Sequence, residues 1–359
     1  MGMLSTIAVK ILPSALFDKI WRRKHWRLYS DRFEDAIRHF LVEKGITDST
    51  VIRRYRKRLV NAFVKDNWYP DEYFCYNYEL LSRKGIHSFV GNREANRFWC
   101  FMNSKEMYLL TCDKGLTYQH FAPYFHRDLI SVADDKEDSV KLFKGLVEKH
   151  PRFIIKPTFG NYGNGVQIID YKEGNIESLF KRLRDEYPTG FIAEELIVQC
   201  KELEAFHPSS VNTVRLTTAR LSNGEIFIIP RGFIRFGKDG RCVDNAGNGG
   251  ILAGLDIETG IVKGAIDERN NRYVVHPDSG KTILGYHVPR WDEAKNLVVE
   301  LAKVLPDLNY CGWDLALTDD GWVMVEANGK GLFIGFQMPT QEGFRDEFEE
   351  LKKRCGYQA

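Results

Sequence analysis

Apolar residues recur at three- and four-residue steps at Phe33, Ile37, Phe40 and Leu41, behind a Ser30 or Asp31 that could cap a helix, and the helical pattern holds to about residue 85. From Arg152 the pattern becomes an alternation of strands and helices. RFIIKP reads as a strand, Ile176, Leu179, Phe180 and Leu183 form one helical face, and FIAEELI reads as a strand again. VRLTTARL and EIFIIPRGFIRFG flank the turn Ser222 to Gly224, which predicts an antiparallel hairpin. Ala294, Leu297, Val298, Leu301, Ala302 and Leu305 make a further helical stripe. GWDLAL and GWVMVEAN follow as strands joined by the turn Asp319-Asp320-Gly321, and FRDEFEELKK closes the chain as a helix. A helical N-terminal region thus precedes an α/β or α+β body.

Composition narrows this picture. With 43% hydrophobic and 28% charged residues over 359 positions, the chain can bury a real core, and its length allows two or three domains or lobes. Disorder, collagen and coiled coil are excluded. No apolar run is long enough to cross a bilayer, since the stretch from Met3 to Trp21 is broken by Lys10, Pro13 and Asp18. No secretory signal is recognisable, and seven scattered cysteines without a CxxC pair fit reduced thiols, so a cytoplasmic protein is expected.

Charge divides the chain. Residues 1–65 hold fifteen Lys/Arg against six Asp/Glu, a charge of +9, which leaves −7 for the remainder because the whole carries +2. WRRKHWR (Trp21 to Arg27) and RRYRKR (Arg53 to Arg58) supply most of the excess, as a solvated helical face or as a binding surface. No zinc-finger or RNA-binding signature accompanies them, so a nucleic-acid partner is not expected. Ile7, Ile11, Leu16, Phe17, Ile20 and Trp21 beside the first cluster also suit a basic amphipathic surface helix, with Pro13 breaking or starting it, and hence peripheral membrane contact; packing against the body is the alternative.

Three constellations carry chemistry. Lys156 ends a strand and is followed by the loop Gly160-Asn161-Tyr162-Gly163-Asn164-Gly165, where glycines let backbone N–H groups approach an anion. The loop lies between strands and lacks a GK[ST] ending, so it is neither a Walker loop nor a Rossmann turn, and a plain hairpin loop is the alternative. Asp314, Glu326 and Asn328 lie on the two strands of a predicted hairpin, the latter two on one face by the period of two. Hard oxygen donors in an apolar setting suit Mg²⁺, because buried carboxylates are costly without a cation. Arg215, Arg231 and Arg235 sit in β-forming runs and either pair with acids or point into a site for carboxylate or phosphate.

In order along the chain, Lys105, Lys156 with its glycine loop, FIAEELI, NTVRLTT, and then Asp314, Glu326 and Asn328 resemble the signature series of the ATP-grasp superfamily. HPSSVNTVRLTT, VDNAGNGG, HPDSG, GYHVPRWDE and GWDLALTDDGWVMVEANG resemble, more narrowly, the sugar-transfer-associated ATP-grasp family, a relative of glutamate-ligase-like enzymes. The likeness runs from about Asn103 to Gly331. It implies an α+β fold of two lobes gripping ATP: a helical region over 1–90, an N-terminal lobe over 91–192 with a glycine lid loop, and a C-terminal lobe over 193–359 with the metal site.

By that resemblance Lys105, Lys156, Gly160, Gly163 and Gly165 contact the nucleotide. Glu194 or Glu195 takes the adenine amino group, the Leu196 and Ile197 backbone forms the hinge, and Glu202 or Glu204 binds ribose. Asp314, Glu326 and Asn328 hold Mg²⁺, with Mn²⁺ as an alternative. Many superfamily ligases carry an arginine just before the first metal acid, whereas this chain has Cys311-Gly312-Trp313, so Arg215 and Arg235 are the candidates to hold the anionic intermediate. Asn245 and Gly249-Gly250 resemble a phosphate- and acceptor-side loop. His276 and Trp291 either border the acceptor pocket or are packed structural residues. The implied activity joins a carboxylate and an amine through an acyl phosphate, on small-molecule or glycan substrates such as an amino acid and an amino sugar. A kinase acting on a hydroxyl and a non-catalytic nucleotide-binding scaffold are the alternatives.

Overall fold

The computed structural model describes residues 14–160, 163–241, 244, 249–331 and 333–357. The chain forms two compact units, Met1–Arg97 with Leu332–Glu349, and Phe98–Gly331 with Glu350–Ala359.

The first unit contains α1 (Ser14–His25), α2 (Ser30–Phe40), α3 (Ser49–Asp66), α4 (Pro70–Cys75) and α5 (Arg83–Ser88), and α2, α3 and α4 pack around Phe33, Ile37, Leu59 and Phe63. The spacing that predicted α2 is thus the spacing of its buried face. The expected cap is not there: α2 grows directly out of the 3₁₀ turn Trp26–Tyr29, and Tyr29 makes no side-chain cap bond. Asp48 does cap α3, accepting from Thr50 N at 2.8 Å and Val51 N at 2.9 Å. The C-terminal segment is tied into this unit by one buried amide, on α13 (Ile334–Gln337). Gln337 Oε1 accepts from Val90 N (2.8 Å) and Phe344 N (3.1 Å), while Nε2 donates to Val90 O (2.9 Å) and Tyr76 Oη (3.0 Å).

The second unit contains both sheets. β1 (Leu129–Val132), β2 (Arg152–Pro157), β3 (Gln167–Asp170) and β4 (Phe191–Glu195) form an antiparallel sheet in the order β1-β4-β2-β3. Its core is an aromatic cluster, Phe143 from α9 (Glu137–Lys149), Phe180 from α10 (Ile176–Glu186), Phe153 and Phe191. The second sheet runs β11-β10-β5-β7-β8-β9, with β6 paired to β5. Its strands are β5 (Val214–Arg220), β6 (Ile226–Ile228), β7 (Gly232–Phe236), β8 (Ile251–Leu255), β9 (Val262–Asp267), β10 (Tyr310–Leu317) and β11 (Trp322–Asn328). Every strand pairing is antiparallel, which makes the body α+β. Both hairpins read from the sequence form, β5–β6 across Ser222 to Gly224 and β10–β11 across Asp319 to Gly321. α12 (Trp291–Val304) buries Trp291, Ala294, Val298, Leu301 and Ala302 as the predicted stripe.

Gln337→Leu removes partners from the buried N–H and C=O of Val90 and from Phe344 N–H. Unsatisfied buried groups cost about 1–3 kcal/mol each, so denaturant unfolding should show a loss of about 3 kcal/mol or more, and an unchanged midpoint would contradict the bonding described.

Candidate active site

One cavity of the second unit gathers side chains from both sheets. It is lined on one side by Lys156, Pro157, Gly160, Gly163 and Glu194 to Ile197, and on the other by Thr213, Arg235, Asp244, Asp314 and Glu326.

The strand register assembles the acidic end. Asp314 on β10 lies opposite Glu326 on β11 and opposite Arg215 on β5, so the three residues occupy one level of adjacent strands and share a face. Asn328 pairs with Gly312 one step along the same face. A bulge between Asp314 and Leu315 leaves Val325 as the extra residue beside the cavity. Arg215 holds Asp314 bidentately, Nε to Oδ1 at 2.5 Å and Nη2 to Oδ2 at 2.7 Å, and Arg235 Nη2 reaches Oδ2 at 2.9 Å. Asp314 is 2% exposed. Burial by itself would raise its carboxyl, but Arg215 and then Arg235 overcome this and hold it below the usual carboxylate value. Gly312 makes the arrangement fit, because a Cβ there would stand 3.0 Å from Arg215 Cδ and 3.2 Å from Nη1. The guanidinium of Arg215 therefore crosses from the neighbouring strand into the space over residue 312, where the sequence pattern lacks its arginine.

The other end of the cavity is built on β2 and the loop after it. Lys156 and Arg127 both pair with the buried Glu194, Arg127 through Nε at 3.1 Å and Nη2 at 2.9 Å. Burial opposes ionisation of Glu194, and the two cations more than offset it, so its carboxyl lies below the ordinary value. With both oxygens of Glu194 taken, this acid orients Lys156. Glu195 is half-exposed, with Oε2 accepting from Asp128 N at 3.2 Å, and Leu196 and Ile197 follow the last paired residue of β4. Gly163 and Gly165 both have φ of 72°, the left-handed region that favours glycine. Tyr187 Oη donates to Gly165 O at 2.7 Å. Asn161 and Tyr162 of this loop lie outside the described residues.

Lys105 is placed apart from the other candidate residues. It is exposed at the first position of α7 (Lys105–Cys112) and does not line the cavity. Lys114, the first residue of α8 (Lys114–Phe121), stands there instead, with Nζ donating to Gly160 O at 2.9 Å and 3.5 Å from Glu326 Oε1. The physical reason is the docking of α8: Lys114 N bonds Thr158 O at 3.2 Å, which fixes that helix start against the end of β2. Glu202 and Glu204 are exposed on the short α11 (Lys201–Glu204) and do not reach the cavity, nor does Arg231. His276 is fully buried with Nε2 2.8 Å from Gly237 O, and Trp291 Nε1 donates to Ile257 O at 2.7 Å, so both are packed structural residues. Asn245 lies outside the described residues, and Gly249 and Gly250 do not line the cavity.

Two further groups complete the site. Thr213 N and Oγ1 donate to Asp244 Oδ2 at 2.9 and 2.5 Å, and Arg235 Nε stands 3.6 Å away. Burial raises the Asp244 carboxyl, and Arg235 and Thr213 do not fully offset this. The acid stands within VDNAGNGG and is visible there, whereas Arg127 has no sequence signal at all. Asp314, Glu326 and Asn328 form an oxygen-donor set that fits a divalent cation such as Mg²⁺ or Mn²⁺, with Glu326 the more open ligand and Asp314 already shared with two guanidiniums. Asp128, His150 and Glu195 also cluster at the end of β4, but Lys149 Nζ already pairs with Asp128 at 2.5 Å.

A glycine loop over a strand lysine on one antiparallel sheet, facing carboxylate and amide oxygens on another, defines a protein of the ATP-grasp class. Residues 93–353 match the sugar-transfer associated ATP-grasp family, and the chain belongs to that family. No curated protein matches it in sequence. Similar solved structures include D-alanine–D-alanine ligase from Helicobacter pylori, with 14% identity over 68% of this chain and 61% of that one at a TM-score of 0.42. The ligase of that name from Bacillus anthracis has 13% identity over 69% and 64% at 0.36, and N5-carboxyaminoimidazole synthetase from Staphylococcus aureus 14% over 62% and 45% at 0.38. The chain spans less than two thirds of the length of each of these, and the assignment rests on the family match.

The depressed carboxyls of Asp314 and Glu194 set a pH dependence. Their contribution to stability is complete above the ordinary values of 3.8 and 4.5 and is lost as pH falls through the lower folded values. Asp244, raised, acts with the opposite sign and regains stability on protonation. Thermal melts from about pH 6 to about pH 3 should therefore show a falling midpoint, with a shallower fall in Glu194→Gln; an equal slope in that variant would contradict the assignment.

Proposed function

We propose that the protein is an ATP-dependent carboxylate–amine ligase working through an acyl phosphate. The observation that carries this reading is the convergence, on one cavity, of lysines and glycines at one end with arginine-held carboxylates and a separate buried acid at the other. In the first step a substrate carboxylate oxygen attacks the γ-phosphorus of ATP and ADP leaves. In the second the amine nitrogen attacks the acyl carbon, phosphate leaves with the C–O electron pair, and the nitrogen gives up a proton as the amide forms.

Lys114 and Lys156 neutralise phosphate charge, the latter held in place by Glu194. Arg235 and Arg215 stabilise the anionic intermediate from the level of Asp314. Asp244 receives the amine and its proton at the acceptor end. The glycine loop excludes water, which would otherwise hydrolyse the acyl phosphate. Glu326, Asn328 and Asp314 would hold a divalent cation, which supplies further neutralisation of phosphate charge when bound. The family's association with sugar transfer supports an amino sugar or other glycan precursor as one partner and an amino acid as the other.

The test is mass spectrometry of the purified protein with ATP, Mg²⁺, pooled amino acids and pooled amino sugars or nucleotide sugars. Release of ADP and phosphate only when carboxylate and amine are both present, with a condensed product, is the expected result; a phosphorylated product would make the protein a kinase, and no turnover a scaffold.

Lys156→Ala, Lys114→Ala and Glu326→Gln should each lower kcat by about 10²-fold or more, the scale for losing one electrostatic contact in a closed site. Lys105→Ala should keep most of the rate, and a comparable loss there would restore it to the site. Asp314→Asn is a poorer probe, because it leaves two guanidiniums without their anion.

Asp244→Asn should raise KM for the amine and lower kcat while ATP affinity, titrated directly, stays within about twofold. The wild-type rate should also fall on the acid side with an apparent pKa above the ordinary 3.8, a limb the variant lacks. Retention of that limb would remove Asp244 from the role.

A further inference from the structure

The first unit carries a helical face that the ligase reading does not use. Leu16, Lys19, Ile20, Arg23, Lys24 and Arg27, on α1 and the 3₁₀ turn that continues it, are exposed and recur at three- and four-residue steps, which stacks them on one side. The opposite side is turned into the unit. Arg22 donates to Val64 O and to Asn67 Oδ1, both at 3.1 Å, and Asp18 pairs with Arg22, Arg93 and Arg97.

Among the described residues of α1 and the turn, the exposed side contains no acid. None of Lys19, Arg23, Lys24 and Arg27 has an ion-pair partner among the described residues, whereas Arg32, Arg56 and Arg83 of the same unit pair with Asp71, Glu34 and Asp66. Apolar side chains stand among these cations: Leu16 is 44% exposed, Ile20 39%, and Leu28, just beyond, 72%.

We propose that this face docks on an anionic lipid bilayer. The four cations would pair with head-group charge while Leu16, Ile20 and Leu28 enter the boundary between head groups and acyl chains. Charge complementarity alone would also fit a nucleic acid or an acidic protein. A phosphate backbone, however, takes the cations and leaves the three apolar side chains in water, whereas an anionic bilayer surface accepts both kinds of group in one plane, and an acidic protein partner is an outcome that the vesicle test separates. No described helix is long and apolar enough to cross a membrane, so the contact is peripheral.

The test is flotation of the full chain with phosphatidylcholine vesicles, with and without phosphatidylserine, at low and high salt. Binding should need phosphatidylserine and weaken as salt rises. Arg23→Gln, Lys24→Gln and Arg27→Gln together should lower partitioning by about a hundredfold, at about fivefold per cation, and Leu16→Ser with Ile20→Ser should weaken it while keeping its salt dependence. Arg53→Gln, Arg54→Gln and Lys57→Gln on α3 remove equal charge from other exposed positions and should leave most of the binding, with circular dichroism showing each variant folded. No flotation at low salt, equal losses in both triple variants, or a face that instead binds RNA or a second copy of the chain would overturn the proposal.

Discussion

Asp314 can stay ionised inside the seven-stranded sheet only because two guanidiniums lie on it. A carboxylate at that depth without partners would cost several kcal/mol, and bidentate contact from Arg215 with a third bond from Arg235 offsets the cost. Much of the site's geometry follows from this cluster. Arg215 must stand on the strand next to Asp314, residue 312 must lack a side chain, and Arg235 must lie two residues beyond Phe233 on the same face of β7. Arg235 in turn lies between Asp314 and Asp244, so the two acids are coupled through one buried cation.

The other sheet repeats the device with fewer parts. Glu194 is buried between Arg127 and Lys156, and the pairing gives the lysine a fixed direction. Buried ion pairs contribute little to net stability and much to placement. That distinction suits the ligase chemistry proposed for the site, in which charge is neutralised and positioned with little covalent participation by the protein.

Local pattern does not say which candidate residues line the cavity. Lys105 and Lys114 each open a helix behind a capping side chain, Ser104 and Asp113, and nothing in the two segments separates them. The docking of Lys114 N on Thr158 O separates them, and that bond joins residues 44 positions apart. Glu202 and Glu204 had the expected spacing after the hinge but fall on a short helix whose only buried side chain is Leu203.

Periodicity and turn chemistry determined by themselves the helices at 30–40, 176–186 and 291–304, both hairpins, and the shared face of Glu326 and Asn328, because these depend on side-chain spacing within one element. The ordered motifs determined the family. The tertiary structure alone decided which lysine reaches the glycine loop, that Arg127 holds Glu194, that Asp244 enters the site, and that Arg215 replaces an absent neighbour at 312 from across the sheet. Each of these depends on strand register or helix docking between distant segments, and a buried charge takes its partner from whatever the register brings beside it.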